Sequence, residues 1–461
     1  MAILSENPGA PVAHYPVIII GGGAAGLVAA LAARDGGSEV LVIERDPTPR
    51  GTTAMSTGLI PAAGTPDQAE AGVTDSADTM AKDIIAKAGT TDDAVVHALA
   101  AQSAEVIGWL KRQHGVPLSL VTGFLYPGHS NMRMMGTPHR TGEELMAGLN
   151  NACAAAGVDI LTDAQARDLV ADAQGRVTGV VIQRPDGATE TVTCNALILA
   201  CSGFAGNAEM VARFIPEIHG AVFHGHPGNK GDAVAWGEAL GAAVKDMDAY
   251  QGHGGLAAGH GIPILWPLIM EGGIQVNRAG QRFADESRGY SVQAANIVAQ
   301  PGSVAWSVYD ARCDAVMRQF DDYTHALSAG AIVEAPDLAI LAAKTGLPEA
   351  ALTQTLADVA AMVRSEKPCP FGRNFPGKPE LKAPFFAARV NGALFHTQGG
   401  LAVDTHARVL RPEGTPLPNL FAAGGAARGI SGPGAAGYIA GNGLLSATGL
   451  GYLAGKAAAR S

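Results

Sequence analysis

The sequence predicts an α/β fold: a Rossmann-type domain with an antiparallel β insertion, interrupted by an α+β domain. Three observations predict it. An apolar strand runs into a glycine turn and an Ala-rich helix at Val17–Ala33, a block with period two covers Val158–Ala200, and the composition shifts near Asp248 before the first pattern resumes after residue 391. The expected domains are therefore 1–248 and 392–461 for the first fold and 249–391 for the inserted one.

The chain is organised around Val17-Ile18-Ile19-Ile20-Gly21-Gly22-Gly23-Ala24-Ala25-Gly26-Leu27. A buried parallel strand followed by Gly-x-Gly-x-x-Gly and a helix is a dinucleotide cradle. Gly21 allows the turn, Gly23 lets the backbone approach a pyrophosphate, and Gly26 lets the helix pack on the strand. The free N–H groups of the helix, at Ala24 and Ala25, face the phosphates. Glu44 ends the next apolar strand, 18 residues after Gly26, where it can accept hydrogen bonds from both hydroxyls of an adenosine ribose. Arg45 follows it. At this point NAD and FAD fit equally.

Composition narrows the class. The 461 residues are 47% hydrophobic and 16% charged, with 60 Gly, as in a compact α/β enzyme. A net charge of −10 leaves no basic stripe for nucleic acid. The five cysteines are odd in number and widely spaced, which predicts reduced thiols and a cytoplasmic protein. Met1–His14 lacks the pattern of a secretory signal, and no apolar run approaches the ~20 residues of a membrane span.

The loop Arg50–Pro61 is small and hydroxyl-rich; Gly51, Thr52, Thr53, Ser56, Thr57 and Gly58 offer donors without bulk where a chain runs along a flat cofactor. Ser76–Leu110 and Gly142–Ala156 have helical periodicity. Between them lies a long irregular stretch holding Tyr126, His129 and His139, and such loops carry function. The period-two block reads as strands Val158–Leu161, Arg176–Ile182, Thr189–Thr193 and Ala196–Ala200, with a Pro185-Asp186-Gly187 hairpin turn. Ala166, in this block, and Ser202 and Gly203, after its last strand, are candidate cofactor contacts. So are Asn229 and Asp232, which precede a helix at Ala233–Gly241. The closing unit, Asn419–Gly425 followed by Gly441–Leu445, repeats the logic of the first cradle and adds Gly424, Gly425, Asn442, Leu444 and Leu445. The N-terminus of its helix suits the pyrimidine carbonyls of a flavin.

Glu44, the Gly51–Gly58 loop, Gly203-Phe204, Gly399-Gly400 and Ala422-Ala423-Gly424 together resemble the FAD-dependent fumarate reductase and 3-ketosteroid dehydrogenase flavoprotein superfamily, over nearly the whole chain. The resemblance implies FAD, a discontinuous FAD-binding domain and an α+β capping domain. It also implies hydrogen addition or removal across a C–C bond activated by a carbonyl or carboxylate.

Two segments, Tyr250-Gln251-Gly252-His253 and Phe395–Gly400 with His396, look like those by which fumarate reductases grip a dicarboxylate. Gln275–Glu286 looks like the segment in which an acidic residue and an arginine relay a proton. Two features depart from that branch: Arg312 stands two residues early for the catalytic arginine, and Gly429–Tyr438 holds no second one. Gly432-Pro433-Gly434 instead resembles the ketosteroid dehydrogenase segment that supplies a backbone oxyanion donor, here the N–H of Gly434. Tyr290 stands at the spacing of that family's base and Tyr126 resembles its assisting tyrosine. Ile430 occupies the position of the oxyanion tyrosine, leaving a weaker hold or a substitute in Tyr438.

The resulting expectation is a desaturase, or in reverse a reductase, of the α,β carbons of a carbonyl-activated, cyclic small molecule. Tyr290 takes the α proton and flavin N5 takes the β hydrogen as hydride. A free tyrosine is ionised in only about one part in a thousand at pH 7, so positive charge from Arg288, His253 or His396 is expected beside it. The alternative is a reductase of an unsaturated carboxylic acid, with those three residues binding the carboxylate. A flavoprotein electron-transfer subunit is disfavoured because no Cys-x-x-Cys-His or iron–sulfur cysteine run occurs. No second nucleotide fingerprint identifies the electron acceptor, and no metal site is expected.

Overall fold

The computed structural model describes residues 2–89, 93–375 and 377–461. The chain divides into two compact units: Met1–Met210, Gly225–Tyr250 and His396–Ser461 form the first, and Val211–His224 with Gln251–Phe395 form the second.

The first unit is built on a nine-stranded sheet. Its centre is the strand Thr189–Leu199, paired along its length in parallel with Ala13–Ile20. The next strands outward are Val40–Ile43 and Asp159–Leu161, both parallel. On its other side the central strand changes partners: its first half pairs antiparallel with Val177–Gln183, and its last residues pair parallel with Pro416–Ala422. One strand thus joins the hairpin insertion to the parallel sheet. The sequence reading divided it in two at the polar Asn195, and left out Gln165–Ala171, which pairs with Val177–Gln183. Val17–Ile20 and Val40–Ile43 are buried throughout, as strands with both faces covered must be.

The helix Ala24–Asp35 packs against the closing helix Asn442–Ala458 through small residues. A Cβ on Gly451 or Gly455 would stand 2.5 or 2.2 Å from the carbonyl oxygens of Ala25 or Ala29, so the glycines permit close contact. The helical stretch expected over Ser76–Leu110 is two helices, Ala77–Ala88 and Ala94–Arg112, each capped by an aspartate or serine; residues 90–92 lie outside the described residues. All five cysteines are free thiols. Among the described residues no helix is long and apolar enough to cross a membrane.

The second unit carries a six-stranded sheet whose long strand, Phe385–Thr397, pairs with Val304–Asp310, Ile332–Ala335, Tyr250–Ala257 and Val222–Phe223. Ile274–Val276 extends it beyond Val304–Asp310. Val222–Phe223, too short and isolated to be legible as a strand, brings Val211–His224 into this unit. One side of the core holds a buried polar chain: Tyr309 and Tyr323 share a 2.8 Å hydroxyl contact, and Tyr323 donates to Asp314 at 2.7 Å.

Candidate active site

In the first unit the turn after Ile20 has the form its glycines require. Gly21 has φ +109°, and a Cβ on Gly26 would stand 1.8 Å from the Gly21 carbonyl oxygen. Gly23 differs, since the nearest protein atom to its missing Cβ is Thr53 Oγ1 at 3.7 Å, an ordinary contact. Protein packing therefore demands glycine at Gly21 and Gly26 but not at Gly23, and Gly23 caps the helix without a side-chain hydrogen bond. A helix start with free backbone donors beside an unneeded glycine fits a pyrophosphate.

Glu44 is buried, and its carboxylate accepts from the N–H of Gly22 at 2.7 Å and of Asp46 at 2.9 Å. Its oxygens hold the turn in shape as well as offering acceptors to a ribose. Glu44→Ala leaves the Gly22 N–H buried without its partner, so the apoprotein is expected to lose about 1–3 kcal/mol in denaturant unfolding, with weaker FAD retention.

The hydroxyl-rich loop is fastened across this turn. Thr53 Oγ1 accepts from Ala24 N–H at 3.2 Å, Thr52 Oγ1 accepts from His226 N–H and Asn229 Nδ2, and Ser56 Oγ accepts from Gly58 N–H. Gly51 lies against Gly23, and Thr57 is carried between Ser56 and Gly58. Arg45 donates to the Gly228 carbonyl at 2.9 Å and approaches Asp232 at 3.4 Å, tying the second strand to the helix Asp232–Ala239. Burial raises the Asp232 pKa despite that arginine. Gly203 packs on Thr397, whose hydroxyl accepts from Phe204 N–H, and Gly425 lies against Ser202 and Gly203. Gly424 contacts Ala25. Ala166 is a buried strand residue paired with Ile182.

At the other end Asn442 begins the closing helix, after Gly441 and without a side-chain cap; Leu444 is half-buried and Leu445 fully buried in its first turn. Asn442 Oδ1 and Ser446 Oγ are buried polar atoms without a partner among the described residues. Two idle acceptors at a helix start suit a polar heterocycle edge, as a flavin presents. The residues present therefore fit FAD.

Near this end stand four catalytic candidates. Gly434 has φ +68° with open space where its Cβ would be, while Ile430 is buried in the core and offers no donor. Tyr438 is buried, receives a hydrogen bond from the Gly443 N–H, and stands edge-on to His396 at 5.6 Å. Burial lowers the His396 pKa to about 4. Its ring lies against Gly443 in the first turn of the closing helix, whose positive end also disfavours an imidazolium. Tyr126 packs edge-on to Phe124 at 5.0 Å, and burial pushes its pKa up to about 12, so it stays protonated.

The Tyr126 loop is held by residues that no spacing announced. The Arg133 side chain, fully buried, donates to Asp75 at 2.9 Å and Asp83 at 2.7 Å, and approaches His129 Nδ1 at 3.5 Å. His129 Nε2 in turn donates to the Ala440 carbonyl at 2.9 Å. These partners come from four separate segments, so only tertiary structure reveals them.

In the second unit His253 is buried and stacked on Phe395 at 5.0 Å, with Tyr290 at 5.2 Å and the edge of Trp266 at 6.1 Å. Its Nδ1 accepts from Gly255 N–H at 3.1 Å, which puts the ring proton on Nε2. Burial lowers its pKa to about 3. Tyr290 opens the helix Tyr290–Val298, after the turn Glu286–Arg288; Arg288 is exposed.

The expected charge supply to Tyr290 is corrected here. His253 and His396 are neutral at pH 7 because burial penalises the cation, so of the three residues proposed only Arg288 is positive. Glu286 is wholly buried; burial would raise its pKa, but hydrogen bonds from Arg282 and the charges of Arg282 and Arg373 hold it low. Arg282 and Arg373 engage its carboxylate at 2.7 and 3.0 Å, leaving it an ion-paired anchor. The guanidinium of Arg312 lies 3.4 Å from Glu271 and 3.8 Å from Asp310.

The neutral buried histidines set an acid limit to stability. With folded pKa values of about 4 for His129 and about 3 for His253, below the unfolded ~6.5, the unfolded chain binds more protons under pH 6.5. Stability is thus whole above pH 6.5 and falls on acidification, by about 1.4 kcal/mol per pH unit for each histidine. Denaturant midpoints at pH 7 and 5 check this, and a His253→Gln variant should flatten the slope.

Comparison with known proteins follows the geometry. The FAD binding domain family matches residues 16–444. The chain is 30% identical to a fumarate reductase (cytochrome) of Shewanella frigidimarina, over 98% of this chain and 78% of that protein. It is 28% identical to a 4-oxocyclohex-2-ene-1-carboxylate 5-dehydrogenase of Sinomonas cyclohexanicum, over 69% and 60%. The structure of 3-ketosteroid-Δ4-(5α)-dehydrogenase from Rhodococcus jostii RHA1 superposes with TM-score 0.78 at 24% identity, over 100% of this chain and 99% of that one, a likeness of fold. The chain belongs to the FAD-binding flavoprotein family that includes the fumarate reductases, and is an FAD-dependent oxidoreductase acting on CH–CH bonds.

Proposed function

We propose that the enzyme desaturates, or in reverse reduces, the α,β carbons of a cyclic small molecule activated by a neutral carbonyl. The observation that carries this reading is the charge state of the histidines. A dicarboxylate needs fixed cations, since a buried unpaired carboxylate costs several kcal/mol. His253 and His396 are neutral donors, and the Arg312 guanidinium lies beside Glu271 and Asp310. A ketone oxygen asks only for neutral donors, and the dehydrogenase of Sinomonas cyclohexanicum is named for such a ring.

In this reading the N–H of Gly434 holds the carbonyl oxygen and stabilises the enolate as it forms. Tyr290 takes the α proton, with Arg288 lowering the cost of its ionisation; Tyr126, kept protonated, assists as a donor. Bound FAD supplies the two-electron exchange by accepting or returning the β hydrogen as hydride. The cradle Gly21–Gly26, Glu44 and the Gly51–Gly58 loop hold its ADP half, and Asn442 meets its ring. We further propose that 251–395 is the capping domain.

A second reading is reduction of an unsaturated carboxylic acid, favoured by the 30% identity to the Shewanella fumarate reductase. Steady-state turnover of the holoenzyme with an artificial acceptor separates the two. Saturated cyclic ketones are expected to be oxidised and succinate is not; the opposite pattern favours the acid.

A further inference from the structure

One hydrogen-bond chain in the first unit joins a candidate substrate histidine to the start of the closing helix. Gln398 Nε2 lies 3.1 Å from His396 Nδ1, Ser431 Oγ lies 2.9 Å from Gln398 Oε1, and Asn442 Nδ2 lies 3.1 Å from Ser431 Oγ. Gln398, Ser431 and Asn442 are 4%, 0% and 0% exposed, so water cannot stand in for any link. The Gln398 carboxamide is gripped at its backbone as well: its N–H donates to the Ala249 carbonyl at 2.7 Å and its C=O accepts from Gly429 N–H at 2.7 Å.

The direction of the chain follows from counting donors. Asn442 Nδ2 donates to Ser431, Ser431 O–H donates to Gln398 Oε1, and Gln398 Nε2 donates to His396 Nδ1. This leaves a single unpaired acceptor, Asn442 Oδ1. Reversing every link would put the two N–H donors of Asn442 at that buried, partnerless place, and orphaned buried donors are rarer than orphaned carbonyls. The Thr397 carbonyl also approaches His396 Nδ1, at 3.3 Å; it would favour a proton there, but the Gln398 contact is the shorter.

We propose that Gln398 is a positioning and specificity-determining residue, fixing His396 as a neutral ring with its proton on Nε2, and so selecting a neutral carbonyl oxygen over a carboxylate. The selection rests on the function proposed above; the tautomer does not. A carboxamide at this place cannot take up charge, so it stabilises no imidazolium, whereas a glutamate would accept a proton from Nδ1 and favour the cation.

The test reads the ring directly. Holoenzyme labelled with ¹⁵N-histidine, with the His396 signal assigned by difference from His396→Asn, is expected to show Nδ1 as the unprotonated and Nε2 as the protonated nitrogen at pH 7. Gln398→Met, which removes the amide, should turn His396 toward Nδ1–H on the Thr397 carbonyl, and Ser431→Ala should move it the same way. FAD content, measured by absorbance after gel filtration, reports that each variant is folded. An Nδ1–H ring in the wild type, or an unchanged ring in both folded variants, overturns the assignment.

Selectivity is read by titrating the flavin absorbance of oxidised holoenzyme with cyclohex-2-enone and with fumarate. Gln398→Glu is expected to shift the ratio of their dissociation constants roughly tenfold toward fumarate; an unchanged ratio overturns the selective role. Turnover of fumarate but not of enones would defeat the proposed function while leaving the tautomer result standing.

Discussion

Gly23→Ala is expected to give a folded protein that does not retain FAD, while Gly26→Ala fails to fold. The two substitutions add the same methyl group to the same turn. At Gly26 it would stand 1.8 Å from the Gly21 carbonyl oxygen, a clash of backbone with backbone that no rotamer relieves, so a cost above about 3 kcal/mol is expected. At Gly23 the nearest protein atom is 3.7 Å away. The apoprotein therefore accommodates the methyl, and the loss falls on the close approach of backbone to pyrophosphate, about a hundredfold in FAD affinity or 2.7 kcal/mol. Thermal unfolding of the apoproteins and FAD titration of the folded one check both. A yellow Gly23→Ala protein with normal affinity would remove the assignment of that glycine to the cofactor.

Tyr290→Phe is expected to lower kcat by about 10²–10⁴-fold, the range for loss of a general acid or base, with FAD content unchanged. The ring stands beside His253 at 5.2 Å and Trp266 at 6.1 Å, and phenylalanine preserves those contacts. Stability should change little. Since His253 and His396 are neutral, Arg288 is the positive group proposed to favour the phenolate, so Arg288→Met should move the alkaline limb of the kcat/KM profile upward in pH. Near-normal turnover of the Tyr290→Phe holoenzyme would make the tyrosine a packing residue.

The FAD half of the molecule was legible because its signals are local. Gly21, Gly23 and Gly26 lie within one turn, and Glu44 closes the next strand. The Gly51–Gly58 loop needs small residues wherever it is read. Long strands lost legibility where polarity interrupted them: Asn195 lies inside Thr189–Leu199, and Gln165–Ala171 carries Arg167 and Asp168.

Charge state was the larger gap. A histidine read from sequence has its ordinary pKa, and only the packing of Phe395 on His253, or of Gly443 on His396, shows that the cation is excluded. Ion pairs hid for a related reason. Arg133 meets Asp75 and Asp83 across 58 and 50 residues of chain, and Arg373 meets Glu286 across 87, with no periodicity to connect them. The sequence reading placed Glu286 in a proton relay by resemblance; the two arginines on its carboxylate give it a structural task.

The central claim, hydrogen exchange across a C–C bond activated by a neutral carbonyl, is tested most directly by anaerobic stopped flow. Holoenzyme reduced by light is mixed with cyclohex-2-enone or with fumarate at equal concentration, and the return of oxidised-flavin absorbance is followed. The neutral-carbonyl reading predicts reoxidation by the enone at least about a hundredfold faster than by fumarate, the difference of ~2.7 kcal/mol expected when a carboxylate meets no fixed cation. Rapid reoxidation by fumarate with none by the enone would contradict it.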